Sequence, residues 1–272
     1  MKRLAVVASG WHFPLHFFRS LSEQRIPRGW QVDLFCISHR DPSYSKAEKK
    51  EVITNLGNSR RESYDKILYE HMADIRDIEA AGWKYTLEPN TVGDWGNINQ
   101  WLEKNDYEDY DMFLFTHDDN FILSDTLFEH ALTRNDWLIL SNSDGNSQRR
   151  IRRWLRLKKP FNIRGSFEFF TKEMLDIIGG KFDLSMTSLT RENQFSSGVT
   201  ISELSDWNST VTPLTNLLKE RKLFGRVKSL SKYYRMSIYC LEGERGYIHK
   251  TEPSNTAEEE AGLDLVDKFY SK

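Results

Sequence analysis

The order of apolar and polar segments predicts strands that alternate with helices over the first half of the chain. Short continuous apolar runs, of the kind found in strands that are buried on both faces, open each unit, and amphipathic or polar stretches follow them. The predicted strands are 4–9, 32–38, 85–88, 111–117 and 137–141. Alternation at this rhythm is typical of parallel βαβ units. We therefore expect an α/β fold with a doubly wound, mostly parallel sheet and helices on both of its faces.

Apolar positions at helical spacing predict one long helix over residues 60–81, which Gly82 ends. After residue 142 the pattern changes, and a strand over 166–170 with a capped helix over 171–178 predicts an α+β elaboration. We find no internal repeat and no linker. The expectation is a single domain, 1–272, made of an α/β half (1–142), an α+β half (143–250) and a C-terminal tail (251–272).

Composition excludes several classes of protein. The 272 residues carry 38 Lys and Arg against 40 Asp and Glu, so the net charge of −2 does not indicate a nucleic-acid binder. A hydrophobic content of 39% excludes disorder for most of the length. Two cysteines, Cys36 and Cys240, are too few for a disulfide scaffold, and they favour a reducing, cytoplasmic location. The first apolar run is too short for a signal peptide, and no run is long enough to span a membrane.

The segment with the most chemical information is an apolar strand that ends in two adjacent carboxylates, Asp118 and Asp119. Burying unpaired carboxylates costs several kcal/mol per ion, so we expect both groups at the carboxyl edge of the sheet. Ligands of α/β sheets bind at that edge, and carboxylate oxygens suit Mg²⁺ or Mn²⁺. The alternative is a solvated acidic turn with no ligand.

This strand with His117-Asp118-Asp119, preceded by the Asn- and Gly-rich segment 88–99, resembles the DxD-type motif of GT-A-fold glycosyltransferases, especially the family 2-like group. The resemblance implies a GT-A fold with a nucleotide-binding half and an acceptor-binding half. It also implies transfer of a sugar from a nucleotide-diphosphate sugar, with a UDP-sugar favoured, to a hydroxyl of a glycan or lipid-linked acceptor. Polysaccharide biosynthesis uses such reactions.

The resemblance also implies a metal site and its ligands. Asp119 would ligate Mn²⁺ or Mg²⁺, and Asp118 would contact the ribose or support the ion. A predicted strand over 246–249 ends in His249, and several GT-A enzymes use a C-terminal histidine as another metal ligand. The alternative for His249 is a structural or exposed histidine.

Five further residues are candidates for contact with the donor. By the resemblance, Ser9 and Trp11 follow the first strand where such enzymes receive the base or ribose, and Trp11 either stacks on a base or packs on a helix. Ser38 and Asp41 follow the second strand, where the family places an acidic residue against uracil, although Asp41 comes later than usual. Asn99, at the end of segment 88–99, is a fifth candidate.

The acceptor side is predicted from residues 203–207, which resemble the acidic turn that brings the acceptor-activating carboxylate. Asp206 is the candidate base and Glu203 is second, because inverting transfer needs one base beside the attacking hydroxyl. The usual Glu-Asp pair is replaced by Ser205-Asp206, which leaves a retaining mechanism open. The alternative is that Asp206 serves a turn or caps a helix.

Segment 149–159, from Arg149 to Lys159, carries seven basic side chains in eleven residues. It suits an acidic or lipid-linked acceptor, or peripheral contact with an anionic membrane. A solvated face, or a loop that closes over the diphosphate, is the alternative, and nucleic acid is not expected as a partner.

Three other functions compete with a glycosyltransferase. A sugar-1-phosphate nucleotidyltransferase shares a related fold, but the chain has no Gly-rich N-terminal loop with basic residues to hold a triphosphate. A His-Asp phosphohydrolase normally builds its site on helices. A non-catalytic GT-A-like module would bind a nucleotide or glycan without turnover.

Overall fold

The computed structural model describes residues 1–40, 46–55, 69–89, 93–118, 120–122, 125–134, 136–141, 167–184, 214, 216–229, 248–250 and 271. The strands are β1 (Lys2–Gly10), β2 (Trp30–Ser38), β3 (Trp83–Leu87), β4 (Met112–His117), β5 (Asn120–Ile122), β6 (Ile139–Ser141), β7 (Phe167–Thr171), β8 (Val227–Ser229) and β9 (Ile248–Lys250). The α-helices are α1 (Leu15–Ser22), α2 (Lys46–Asn55), α3 (Ile75–Ala80), α4 (Gly93–Lys104), α5 (Leu127–Leu132) and α6 (Lys172–Ile178). Two 3₁₀ turns lie at Tyr107–Asp109 and Phe224–Arg226.

Seven of these strands form one sheet in the order β3-β2-β1-β4-β7-β6-β8. Strands β1 to β4 are mutually parallel, and β6 is parallel to β8. Strand β7 runs antiparallel to both of its neighbours, β4 and β6. The expected α/β fold with a mostly parallel sheet is confirmed, and β7 and β8 extend that sheet with residues from the second half of the chain.

Apolar side chains cover both faces of the sheet, as the continuous apolar runs predict. On one face, alternate residues of β1 and β4, such as Val6 and Leu114, pack with α1 and α5. On the other face, Val7 and Phe115 pack with α4 and α6. Cys36 of β2 is fully buried on the same face as Val6 and Leu114. Burial raises the pKa of its thiol, so Cys36 acts there as a small apolar residue.

The long helix predicted over 60–81 is wrong as one continuous helix, because in its described part it is interrupted between Glu70 and Ile75. Met72 forms an isolated antiparallel bridge with Pro14, which takes the backbone out of helical geometry. A new helix, α3, begins after Asp74, whose side chain forms a capping box with Asp77. Gly82 follows with a φ of 84°, which favours glycine, so the predicted stop is in place. Residues 60–68 lie outside the described residues.

The capped helix predicted over 171–178 is confirmed as α6. Thr171 is its N-cap, and the Thr171 hydroxyl accepts a hydrogen bond from the backbone N–H of Met174 at 3.2 Å. The helix ends at Gly179, which has a φ of 75°. This cap fixes the turn between antiparallel strand β7 and the helix that covers it.

Strands β5 and β9 pair outside the main sheet, and the sequence predicts neither this pairing nor β5. Their antiparallel register places Asn120 opposite Lys250, Phe121 opposite His249 and Ile122 opposite Ile248. The pairing therefore brings a C-terminal segment beside the residues that directly follow the acidic pair. Among the described residues, none of the helices is long and apolar enough to cross a membrane.

Candidate functional site

Three neighbouring strands end level at one edge of the sheet. The register pairs Gly10 with Ser38 and Ser9 with His117, so β1, β2 and β4 finish together. The chain passes from β1 to β2 on one side, whereas β4 lies on the other side of β1. Such a change of direction opens a crevice at the carboxyl ends of parallel strands, which is where open α/β sheets bind ligands.

Asp118 follows β4 at this edge, and its carboxylate holds the loop after β1. Its Oδ2 atom accepts hydrogen bonds from the backbone N–H groups of Trp11 at 3.0 Å, His12 at 2.7 Å and Phe13 at 2.8 Å. The N–H of Asp118 itself donates to the carbonyl of Ser9 at 3.2 Å. Three successive N–H groups around one oxygen form an anion-binding nest, here filled by a side chain of the same protein.

The shape of this loop depends on two unusual backbone positions. A Cβ on Gly10 would lie 2.1 Å from Cγ of Asp118, so only glycine leaves room for the carboxylate. Phe13 has a φ of 47°, a left-handed conformation that is uncommon for a bulky residue. The bonds to Asp118 therefore hold the loop in a conformation that the chain would not favour by itself.

Three aromatic rings meet at this loop. The ring of Trp11 lies 4.9 Å from that of His12 and 5.5 Å from that of Tyr69, and the His12 and Tyr69 rings are also 4.9 Å apart. All three contacts are edge-to-face, and all three side chains are half-buried. The aromatic cluster of Trp11, His12 and Tyr69 thus presents ring surface beside Asp118.

A second set of polar side chains links β1, β2 and α4. The Nδ2 atom of Asn97 donates to the hydroxyl of Ser9 at 2.8 Å and lies 2.8 Å from Nε2 of His39. The Nδ1 atom of His39 lies 2.8 Å from the carbonyl oxygen of Glu88. A carbonyl can only accept, so Nδ1 carries the proton, and Nε2 accepts from Asn97. Asn97 and Ser9 are both buried.

Beneath the loop lies a buried cation, Arg40. Only 4% of this side chain is exposed, and its Nη2 donates to the carbonyl of Ala73 at 2.6 Å. Burial lowers the pKa of the Arg40 guanidinium, and nearby groups that include Asp118 act in the opposite direction. Positive charge close to the edge of the sheet favours anionic groups there.

The structure brings some of the predicted residues together and not others. Ser9, Trp11 and Asp118 meet at the edge, whereas Ser38 is fully buried and accepts a hydrogen bond from the N–H of Arg40 at 3.0 Å. Asn99 uses both amide atoms on the backbone of Phe182, at 2.9 Å and 2.8 Å. These bonds join α4 to the segment after α6.

Asn97, His39 and Arg40, together with His12 and Tyr69 of the aromatic cluster, are residues at this edge that the sequence alone does not indicate. Asn97 and Asn99 are two positions apart, which is a rotation of about 200° on a helix, so only one of them can face Ser9. The Asn-Ile-Asn pattern gives no means of choosing between them.

Asp41, Asp119, Glu203 and Asp206 lie outside the described residues, and of His249 only the backbone is described. Within the described part of the chain, no group of three or more His, Cys, Asp or Glu side chains is arranged to hold a metal ion.

No family model matches the chain, and no curated protein matches it in sequence. Staphylococcus aureus TarS 1–349 in complex with UDP has a TM-score of 0.49 at 11% identity, over 100% of this chain and 72% of that one. The same protein in complex with UDP-GlcNAc has a TM-score of 0.42 at 14% identity, over 95% of this chain and 61% of that one. The glycosyltransferase GlyE of Streptococcus pneumoniae TIGR4 has a TM-score of 0.44 at 10% identity, over 100% of this chain and 64% of that one. TM-scores of this size do not assign an activity.

Proposed function

We propose that the protein is a nucleotide-sugar-dependent glycosyltransferase of the GT-A type. The observation that carries this proposal is the position of Asp118, and of Asp119 next to it in sequence, directly after β4 where β1, β2 and β4 end level. This edge of a parallel sheet receives nucleotide phosphates in many α/β proteins. An acidic pair there suits a divalent ion shared with a diphosphate.

We propose Asp119 and His249 as the ligands of Mn²⁺ or Mg²⁺. A carboxylate with an imidazole is a donor set that Mn²⁺ accepts, and the register of β5 with β9 supports this pair, because His249 lies opposite Phe121. When bound, such an ion offsets the charge that develops on the departing nucleoside diphosphate.

The donor nucleotide is assigned to the loop after β1 and to the end of β2. Trp11 offers a half-exposed ring for a base. The Ser9–Asn97–His39 link, whose polar atoms are bonded to one another, supports the ends of β1 and β2 beside that ring. Ser9, Ser38 and Asp41 remain candidates from the resemblance, whereas both amide atoms of Asn99 are already bonded to the backbone of Phe182. A UDP-sugar is the donor that we favour.

For the acceptor, we propose that Asp206 takes the proton of the attacking hydroxyl, with Glu203 as the second candidate. The hydroxyl oxygen forms a bond to the anomeric carbon, while the bond from that carbon to the diphosphate oxygen breaks. The electron pair leaves with the nucleoside diphosphate, and the proton goes to the carboxylate. Attack opposite the leaving group inverts the configuration at this carbon.

The acceptor class that we propose is a glycan or a lipid-linked sugar. The seven basic side chains of segment 149–159 suit an anionic acceptor or the surface of an anionic membrane, and this segment lies outside the described residues. The proposed location is the cytoplasm, with peripheral attachment to the membrane.

The test is a donor screen with the full chain. UDP-, GDP- and dTDP-sugars are incubated with Mn²⁺ and without it, and both binding and release of the nucleoside diphosphate are measured. We expect one donor to bind and turn over, Asp119→Asn to abolish the metal dependence, and Asp206→Ala to lose turnover while it retains donor binding.

Three outcomes would overturn the proposal. If no donor binds or turns over, the chain is not a transferase of this type. If a sugar 1-phosphate and a nucleoside triphosphate are converted instead, it is a nucleotidyltransferase. Donor binding without turnover in any acceptor mixture would identify a binding module.

A further inference from the structure

We infer that Asp118 is a positioning residue, which holds the loop after β1 in the conformation that receives the nucleotide and does not itself ligate the metal or the ribose through Oδ2. This inference rests on the proposed function and changes the role that the resemblance gives to Asp118. Its basis is the set of three hydrogen bonds that Oδ2 accepts from residues 11–13.

The contacts of Oδ2 leave this oxygen little capacity for a ligand. It accepts hydrogen bonds from three backbone N–H groups, all within 3.0 Å. Bonds to an ionised acceptor are roughly twice as strong as bonds between neutral groups. A metal ion at the same atom would have to displace N–H groups, which would then lose their acceptor next to a buried layer.

The loop is built around this carboxylate. Gly10 lacks the Cβ that would collide with Cγ of Asp118, and Phe13 keeps its left-handed backbone while its N–H donates to Oδ2. A glycine with no room for a side chain and a strained residue therefore flank the same nest. Both features follow if the carboxylate determines the shape of the loop.

The aromatic cluster depends on that shape. Trp11 and His12 are two of the three residues whose N–H groups bond to Asp118, so the backbone of both is fixed, and their rings meet Tyr69 from there. Without the carboxylate, the loop would sample other conformations, and the ring surface for the base would form only part of the time. A nucleotide would then bind more weakly, because a binding-competent state that is partly populated lowers the apparent affinity.

The experiment compares Asp118→Ala with Asp118→Asn, because asparagine keeps an acceptor oxygen for the N–H groups but removes the charge. UDP with Mn²⁺ is the probe, and its affinity is measured by calorimetry. Amide hydrogen exchange of residues 11–13 is measured without ligand. Asp111→Ala is the matched control, since Asp111 lies just before β4 and its Oδ2 accepts from the N–H of Arg3 at 2.8 Å.

We expect Asp118→Ala to weaken UDP binding by about tenfold or more, and Asp118→Asn by no more than about threefold. Exchange at residues 11–13 should accelerate strongly in the alanine variant and slightly in the asparagine variant. Asp111→Ala should leave both quantities unchanged. Should Asp118→Ala fail to fold, Gly10→Ala displaces the carboxylate from the N–H groups and is expected to accelerate the same exchange.

The inference is overturned if Asp118→Asn weakens UDP binding as much as Asp118→Ala does. That result would show that the negative charge of the Asp118 side chain, and not its acceptor oxygen for the N–H groups, is what binding requires. It is also overturned if exchange at residues 11–13 stays slow in Asp118→Ala or Gly10→Ala. If wild-type protein binds no nucleotide, the proposed function fails, whereas the exchange measurement still decides whether Asp118 holds the loop.

Discussion

Cγ of Asp118 lies 2.1 Å from the position that a Cβ on Gly10 would occupy. The two residues are far apart in sequence, yet each sets a condition on the other, because the carboxylate reaches residues 11–13 only across a residue without a side chain. The end of β1 and the residue after β4 therefore form one structural unit.

We expect Gly10→Ala to lower the free energy of unfolding by about 1–3 kcal/mol, because the added methyl group overpacks the site and displaces the carboxylate. Urea denaturation measures the effect. Gly225→Ala is the matched control and should be close to neutral, since among the described residues no atom outside its own local backbone and chain neighbours lies within 4 Å of its would-be Cβ. In an Asp118→Ala background the cost of Gly10→Ala should be smaller, and an additive double-mutant cycle would contradict the coupling.

Asn97→Ala is expected to weaken binding of the donor nucleotide. The substitution removes the amide that joins Ser9 to His39, so both groups lose a hydrogen bond, and the imidazole is held only through Nδ1 and the carbonyl of Glu88. Affinity for UDP, measured by calorimetry, should fall by about fivefold to tenfold.

The control for this variant is Asn105→Ala. Asn105 follows α4, and its amide donates to the carbonyl of Trp101 at 2.9 Å, so the same chemical change occurs outside the Ser9–His39 link. Equal losses of affinity in both variants would show that the Ser9–Asn97–His39 link has no part in binding.

Asn99→Ala should reduce stability and leave nucleotide affinity unchanged. Both amide atoms of Asn99 bond to the backbone of Phe182, and the loss leaves buried donors and acceptors unsatisfied, at a cost of about 1–3 kcal/mol. The affinity is measured well below the melting temperature. A loss of affinity with unchanged stability would instead support the donor contact that the resemblance implies for Asn99.

His16 makes the protein less stable in acid. Burial, with the nearby His71 as a smaller cause, lowers the pKa of His16 to about 3. The unfolded chain takes up this proton below about pH 6.5, whereas the folded protein does not, so stability falls as the pH drops from 6.5 towards 3. The slope from this group is at most about 1.4 kcal/mol per pH unit.

Denaturation midpoints between about pH 7 and pH 5 measure this slope. His16→Gln removes the titrating group, so the pH dependence of stability should become shallower in that variant. An unchanged slope would show that other groups cause the acid sensitivity.

Much of the sheet can be predicted from the sequence. Strands β1, β2 and β4 appear as continuous apolar runs because they are buried on both faces, and the structure places each of them within about two residues of its predicted bounds. Strands β5 and β8 have three residues each and pair with distant segments, so no local pattern marks them. The helix predicted over 60–81 is wrong at Met72, because a bridge to Pro14 outweighs helical spacing there.

At the site, the sequence indicates which residues are present but not what they contact. Two carboxylates after an apolar run predict the position of Asp118. The donors that Asp118 binds come from residues 11–13, and nothing in the local sequence of either segment reveals that contact. The choice between Asn97 and Asn99 likewise needs the rotation of α4, which only packing fixes.

The place of β7 between β4 and β6 has a consequence for synthesis on the ribosome. Strand β7 lies between β4 and β6, although it follows both of them in the chain. A nascent polypeptide that ends before Phe167 therefore exposes the hydrogen-bonding edge of β4 and leaves β6 without either of its neighbours, β7 and β8. Open edges of this kind pair with other chains, so stalled or truncated products should aggregate until residues 167–171 emerge and close the gap between β4 and β6.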